Sequence, residues 1–153
     1  MRHGRPGRSV PGMPVDVPVP ARLDLVPVRD VMHAGVISRP AETSLAEVAR
    51  TFAAEQVHCV VVTDLEATAE GRRMRWATVE APDLIRALAS PTGGTTAGEV
   101  ATAPAATVPA DESVSTALSM MVGAGITHLI VEDRGNPVGV LSALDIARVA
   151  GGR

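Results

Sequence analysis

The sequence predicts an α+β fold: two pseudo-symmetric copies of one unit, each strand–helix–strand–strand–helix, packed sheet to sheet as one module. Three observations carry this. The chain repeats itself at a fixed offset of 69 residues. Within each copy the apolar pattern switches from helical spacing to a continuous β-branched run. The core is also made of small side chains: 24 Ala and 22 Val stand among 70 hydrophobic residues, and only Phe52 and Trp76 are aromatic. Small side chains require closely approaching backbones, as where helices cover sheets.

The same composition excludes several classes of function. Base stacking needs aromatic side chains, and a nucleic-acid binder needs a basic face; this chain has two aromatics and a net charge of −3 from 17 acids against 14 Arg, with no Lys. Cys59 is the only cysteine, so no internal disulfide can form and a thiolate zinc site is not expected. The longest charge-free stretch, residues 113–131, is interrupted by Ser, Thr, His128 and Gly123-Ala124-Gly125, and does not read as a membrane span. No apolar run follows Arg2, Arg5 and Arg8, so no signal peptide is expected and the location is read as cytoplasmic.

In chain order, residues 1–22 hold Pro6, Pro11, Pro14, Pro18 and Pro20 with Gly4, Gly7 and Gly12, and read as an extended, disordered Pro/Gly/Arg tail. The first copy occupies 23–89, a linker 90–96, the second copy 97–150, and 151–153 is a short tail. Without a gap, residues 31–64 lie on 100–133, with Val31/Val100, Ala34/Ala103, Pro40/Pro109, Ala41/Ala110, Ser44/Ser113, Val62/Val131 and Asp64/Asp133 identical. Leu45, Val48, Ala49, Phe52 and Ala53 share helical spacing with Val114, Ala117, Leu118, Met121 and Val122. Each helix has a Ser at its N-cap, and Glu47 completes a capping box with Ser44. The β-branched runs 57–63 and 126–132 read as buried strands. The offset then becomes 62, aligning Ala81, Asp83 and Arg86 with Ala143, Asp145 and Arg148. The seven extra residues of the first copy fall in 65–75, where the second copy has the tight Arg134-Gly135-Asn136-Pro137 turn, so they read as a longer hairpin loop. Two such units are each too small to own a core and must pack together around an approximate two-fold axis.

These residues resemble a tandem pair of CBS domains, a Bateman module, the family named after cystathionine beta-synthase. Its VxDVM-like opening stands as Val28-Arg29-Asp30-Val31-Met32, its TVxxDxSVxxAxxxM stretch as residues 107–121, its GIxHLxVxD strand as 125–133, and its GhhSxxD end as Gly139-Val140-Leu141-Ser142-Ala143-Leu144-Asp145. Together they cover residues 28–150. The resemblance implies a regulatory module without catalysis of its own, in which AMP, ADP, ATP or S-adenosylmethionine binds in clefts between the repeats. It also implies pairing into a homodimer, and a signal passed in trans to a partner protein that the sequence does not identify.

For the site, the resemblance implies that Asp145 grips a ribose and Ser142 meets a phosphate. A carboxylate can accept both ribose hydroxyls, and a serine with helix-start amides can hold phosphate oxygens. Ser-x-x-Asp before an apolar run is equally a capping box. Gly139 fits close approach either of a base or of another strand. Thr107, Val108 and Pro109 match the family's short first strand beside the adenine, with Ile126 and His128 as neighbours. His128 is either a phosphate donor or a structural residue; Met120 and Met121 read as packing. In the first copy Ala77 and Glu80 replace Gly139 and Ser142, and only Asp83 keeps its match. Glu80 places a negative charge where a phosphate is expected, so this second site reads as degenerate: empty, or open to a ligand without phosphate. His3, His33, His58 and His128 show no metal-ligand spacing, and Cys59 in an apolar strand reads as inert. No enzyme, no metal and no cofactor is expected beyond the adenine ligand. The competing reading is a ligand-free dimerisation scaffold in which Ser142–Asp145 and Glu80–Asp83 are only helix caps.

Overall fold

The structure, a computed structural model, describes residues 19–69, 71–90, 95–101 and 105–152. Its elements run α1 (Val19–Asp24), a 3-10 turn (Val28–Asp30), β1 (His33–Ala34), β2 (Ser38–Pro40), α2 (Leu45–Glu55), β3 (Cys59–Thr68), β4 (Gly71–Glu80), α3 (Ala81–Ala89), α4 (Ala97–Val100), β5 (Thr107–Pro109), α5 (Val114–Ala124), β6 (His128–Asp133), β7 (Asn136–Ser142) and α6 (Ala143–Ala150). The predicted strand–helix–strand–strand–helix order is present twice, and the fold is α+β. Two compact units divide the chain: residues 36–105 form one, and residues 1–35 with 106–153 form the other.

In the continuous unit the sheet order is β2-β3-β4, with β2 parallel and β4 antiparallel to β3. Ser44 Oγ accepts from Glu47 N at 3.2 Å, the Ser half of the predicted capping box, and Gln56 closes α2 in the left-handed region. Val48, Val62, Val79, Leu84 and Ala97 form the core, with Leu45, Ala49 and Phe52 packed against them. Ala53, read as the last residue of the apolar face, is exposed; Thr51 is buried instead, its hydroxyl donating to the Glu47 carbonyl at 3.0 Å.

The split unit has the sheet order β1-β7-β6-β5. Ser113 caps α5 by accepting from Thr116 N at 3.1 Å, and Gly125 ends it at φ 64°. Leu129, Val131, Leu141, Val108, Val114 and Ile146 centre the core, which Leu23 of α1 and Val28 of the 3-10 turn complete. Val122, assigned to the buried face, is 75% exposed. A two-residue turn at Arg134–Gly135, both with positive φ, joins β6 to β7, the turn geometry that matches the twist of a hairpin.

Three expectations need correction. Each unit, read as too small to own a core, has a core cluster of its own. Residues 19–22, placed in the extended tail, open a helix: Pro20 sits in its first turn, where no intrahelical amide is required. The remainder of the predicted tail, 1–18, lies outside the described residues, as do 91–94 of the linker. The first copy's extra residues are not a loop either. They lengthen both strands, adding the rungs Leu65↔Met74, Glu66↔Arg73, Ala67↔Arg72 and Thr68↔Gly71.

The segment before each repeat docks by the same bonds. Val28 N donates to Glu112 O and Arg29 N to Ala110 O in the split unit, each 2.8 Å. Ala97 N donates to Thr43 O and Gly98 N to Ala41 O in the continuous unit, also 2.8 Å. Every residue in the first pair of bonds is offset by 69 from its counterpart. The internal symmetry therefore extends to Val28 and Ala97, both fully buried.

Candidate functional site

Strand β7 delivers Ser142 to the N-cap of α6, and one helical turn brings Asp145 back beneath it. Asp145 Oδ2 accepts from Ser142 N at 2.8 Å and from Ser142 Oγ at 2.7 Å, while Ser142 Oγ accepts from Asp145 N at 3.2 Å. The reciprocal box satisfies helix-start amides that would otherwise be bare. Asp145 is 5% exposed, a depth at which an ionised carboxylate needs partners. It has a third in Arg148, whose Nη1 lies 3.1 Å from Oδ1. The sequence reading did not assign Arg148, although its alignment with Arg86 was the available signal.

The β6–β7 register sets His128 opposite Ser142. Its Nδ1 lies 3.0 Å from Thr127 Oγ1. Ser142, Asp145 and His128 thus come together. Ile126 and, on α6, Ala143 and Ile146 line an apolar groove of about 230 Å³ together with Leu118 and Met121 of α5. The other candidates stand apart. Val108 is fully buried in the core, and exposed Pro109 pairs with Glu132. Thr107 pairs with Ile130, two residues from His128, or about 7 Å along the strand. Gly139 lies about 10 Å along β7 from Ser142. A Cβ there would meet Met32 Sδ at 2.7 Å and the His33 carbonyl, so of its two readings the structure displays close approach of chain.

The first copy builds the same helix start with different groups. Glu80 N donates to Asp83 Oδ2 at 2.9 Å, and Arg86 Nη1 lies 3.2 Å from Asp83 Oδ1. Where the second copy sets His128 against Ser142, this one sets Cys59 against Glu80. Burial pushes the Cys59 thiol up to about 12, and the charges of Glu80 and Asp83 push in the same direction. A thiol held protonated is a poor nucleophile. Among the described residues no group of His, Cys, Asp or Glu could hold a metal ion, and no helix is long and apolar enough to cross a membrane.

This fold, with its doubled helix-start site, defines a class. Residues 97–152 match the CBS domain family model. That segment is thus similar to a CBS domain, and the fold of the chain is that of a tandem CBS pair. Among solved structures it is similar to the CBS domain pair of protein MJ0100 in complex with 5′-methylthioadenosine and S-adenosyl-L-methionine: 23% identity, 83% of this chain and 97% of that one, TM-score 0.71. It is also similar to the CBS domain of a bacterial CNNM/CorC family Mg2+ transporter in complex with ATP (19% identity, 86% and 92% coverage, TM-score 0.69). A third is a hexameric CBS-CP12 protein from bloom-forming cyanobacteria (14% identity, 80% and 69% coverage, TM-score 0.69). No curated relative matches the chain.

Proposed function

We propose that the protein is a regulatory module that binds an adenine nucleotide at the start of α6 and acts on a partner protein. The observation that carries this is the buried Asp145 carboxylate beside the Ser142 hydroxyl, with His128 opposite, on a fold whose relatives are seen with ATP or S-adenosylmethionine. Asp145 accepts the ribose and Ser142 with the α6 amides takes the phosphate; the module has no chemistry of its own. Ile126, beside Ala143 at the start of α6, is its neighbouring contact, and S-adenosylmethionine is the alternative ligand. Two copies pair as a homodimer, for which exposed Val122 and Leu144, with Ile85 and Leu88 on α3, supply apolar surface. The buried, protonated Cys59 suits a cytoplasmic location.

Calorimetric titration with AMP, ADP, ATP and S-adenosylmethionine tests the ligand. Asp145→Ala removes two charge-assisted hydrogen bonds to the ribose and weakens binding by about 3 kcal/mol or more, whereas Asp83→Ala leaves it nearly intact. Equal affinity in wild type and Asp145→Ala overturns the assignment. One observation favours a second reading, a ligand-free scaffold: the Ser142–Asp145 box is complete without a ligand. On that reading both substitutions lower stability alike and no adenine compound binds.

A further inference from the structure

We propose that the outer edge of β4, at Arg72 and Met74, is a docking edge for an extended acidic segment of a partner protein, which adds there as a further strand. The bonding pattern fixes which backbone groups are on offer. In an antiparallel pair, residues alternate between bonding the partner strand and facing away from it. Trp76 O accepts from Ala105 N at 2.8 Å, so Trp76 faces away from β3, and Met74 and Arg72 follow it at every second position. On the other side Val61 N donates to Ile37 O, which gives β3 the matching alternation. Strand β2 pairs with β3 only as far as Thr63, and among the described residues no strand lies beyond β4 at 71–75. The backbone N–H and C=O of Arg72 and Met74 therefore point outward, and such groups are where a strand is added. The second copy makes the same connection with a two-residue turn, so the fold does not require the extra rungs. What they add is this edge.

Charge selects the occupant. From Gly71 to Val79, β4 carries Arg72, Arg73 and Arg75 and no acid. Its register with β3 shows what such a strand accepts: Asp64 stands opposite Arg75 and Glu66 opposite Arg73, two acids two residues apart. A second copy laid antiparallel on the same edge sets arginine against arginine. Centred on Met74, Arg73 meets Arg75; centred on Arg73, it meets its own counterpart. Like charges directly opposite destabilise a strand pair, whereas an acidic strand repeats the complementarity already present within the ribbon.

The probe is a fluorescein-labelled peptide with the sequence of residues 62–68, Val-Thr-Asp-Leu-Glu-Ala-Thr, which carries this acid spacing. Anisotropy titration compares the full chain, its Met74→Pro variant and a variant with residues 65–74 replaced by Arg-Gly. Proline at 74 removes an outward N–H, which an edge strand tolerates, and leaves the ladder to β3 in place. Wild type is expected to bind, Met74→Pro to bind about tenfold or more weakly, and the shortened variant not to bind. A peptide with Asn and Gln in place of the two acids should bind wild type about fivefold more weakly. Equal binding by Met74→Pro would mean that the peptide exchanges with β3 rather than adding to β4, and overturns the proposal. A wild type that binds no peptide overturns it as well. So does self-association of wild type, measured by sedimentation and lost in the shortened variant, because the occupant is then a second copy. The titration contains no nucleotide, so its failure and that of the α6 ligand reading are distinguishable.

Discussion

At the scale of single residues, Cys59 offers an unusually clean titration. The chain has no Lys and no Tyr, so between the amino terminus and the arginines this thiol is the only ionisable group of the alkaline range. Its folded value is raised to about 12 from an ordinary 9.0. Above pH 9 the unfolded chain loses that proton while the folded chain keeps it, so stability is full below pH 9 and falls as pH rises towards 12. The slope is about 1.4 kcal/mol per pH unit. Urea denaturation between pH 8.5 and 11 should show this decline in wild type and a flat profile in Cys59→Val; parallel profiles would refute it. Gly139→Ala belongs to the same scale. The added methyl meets the Met32 sulfur and the His33 carbonyl, so β1 must shift, and the unfolding free energy measured by urea denaturation should drop by about 1–3 kcal/mol. Ser142 and Asp145 were legible in the sequence because their pattern sits at a repeated position. Gly139 was not settled there, because a missing Cβ does not say which neighbour needs the space.

At the scale of elements, α2 and α5 were legible because each carries a serine cap and a 3.6-residue apolar period. The sequence placed their buried faces slightly out of rotation. Ala53 and Val122 sit about 80° round from the first residue of each helix, outside an arc that extends the other way to Thr51 and Met120. Only the direction of the sheet beneath decides that rotation. Ser113→Ala should lower stability by about 1 kcal/mol, since Thr116 N loses its acceptor. The lengthened β3–β4 ribbon tests the opposite expectation. The rungs from Asp64↔Arg75 to Thr68↔Gly71 pair the ribbon with itself. Replacing residues 65–74 with a two-residue Arg-Gly turn, as in the second copy, should change the unfolding free energy from urea denaturation by less than about 0.5 kcal/mol. A large loss would show that the ribbon supports the unit.

At the scale of the whole molecule, one compact unit is continuous in sequence and interrupts the other. If residues 36–105 unfolded alone, residues 19–35 would be held to their core across a flexible loop of about 70 residues. Closing that loop costs about 4 kcal/mol. A small unit cannot absorb such a loss, so the units should melt together, with equal calorimetric and van't Hoff enthalpies. Two separated transitions would disprove the coupling. Leu23→Ala, far in sequence from the core it joins, should destabilise by about 2–5 kcal/mol because Leu23 is 5% exposed.

By itself the sequence determined the repeat, the order of elements within it, the serine caps and the Ser142–Asp145 and Glu80–Asp83 pairs. All are local patterns whose physics, from helical period to side-chain reach across one turn, closes within a few residues. Tertiary structure alone decided that residues 19–35 complete the core of the second copy, and that Gly139 accommodates Met32. It also decided that Val108 faces the core and that Arg148 holds Asp145. These are contacts between segments distant in sequence, or choices among rotamers, fixed by which backbones approach closely enough to exclude water and share hydrogen bonds.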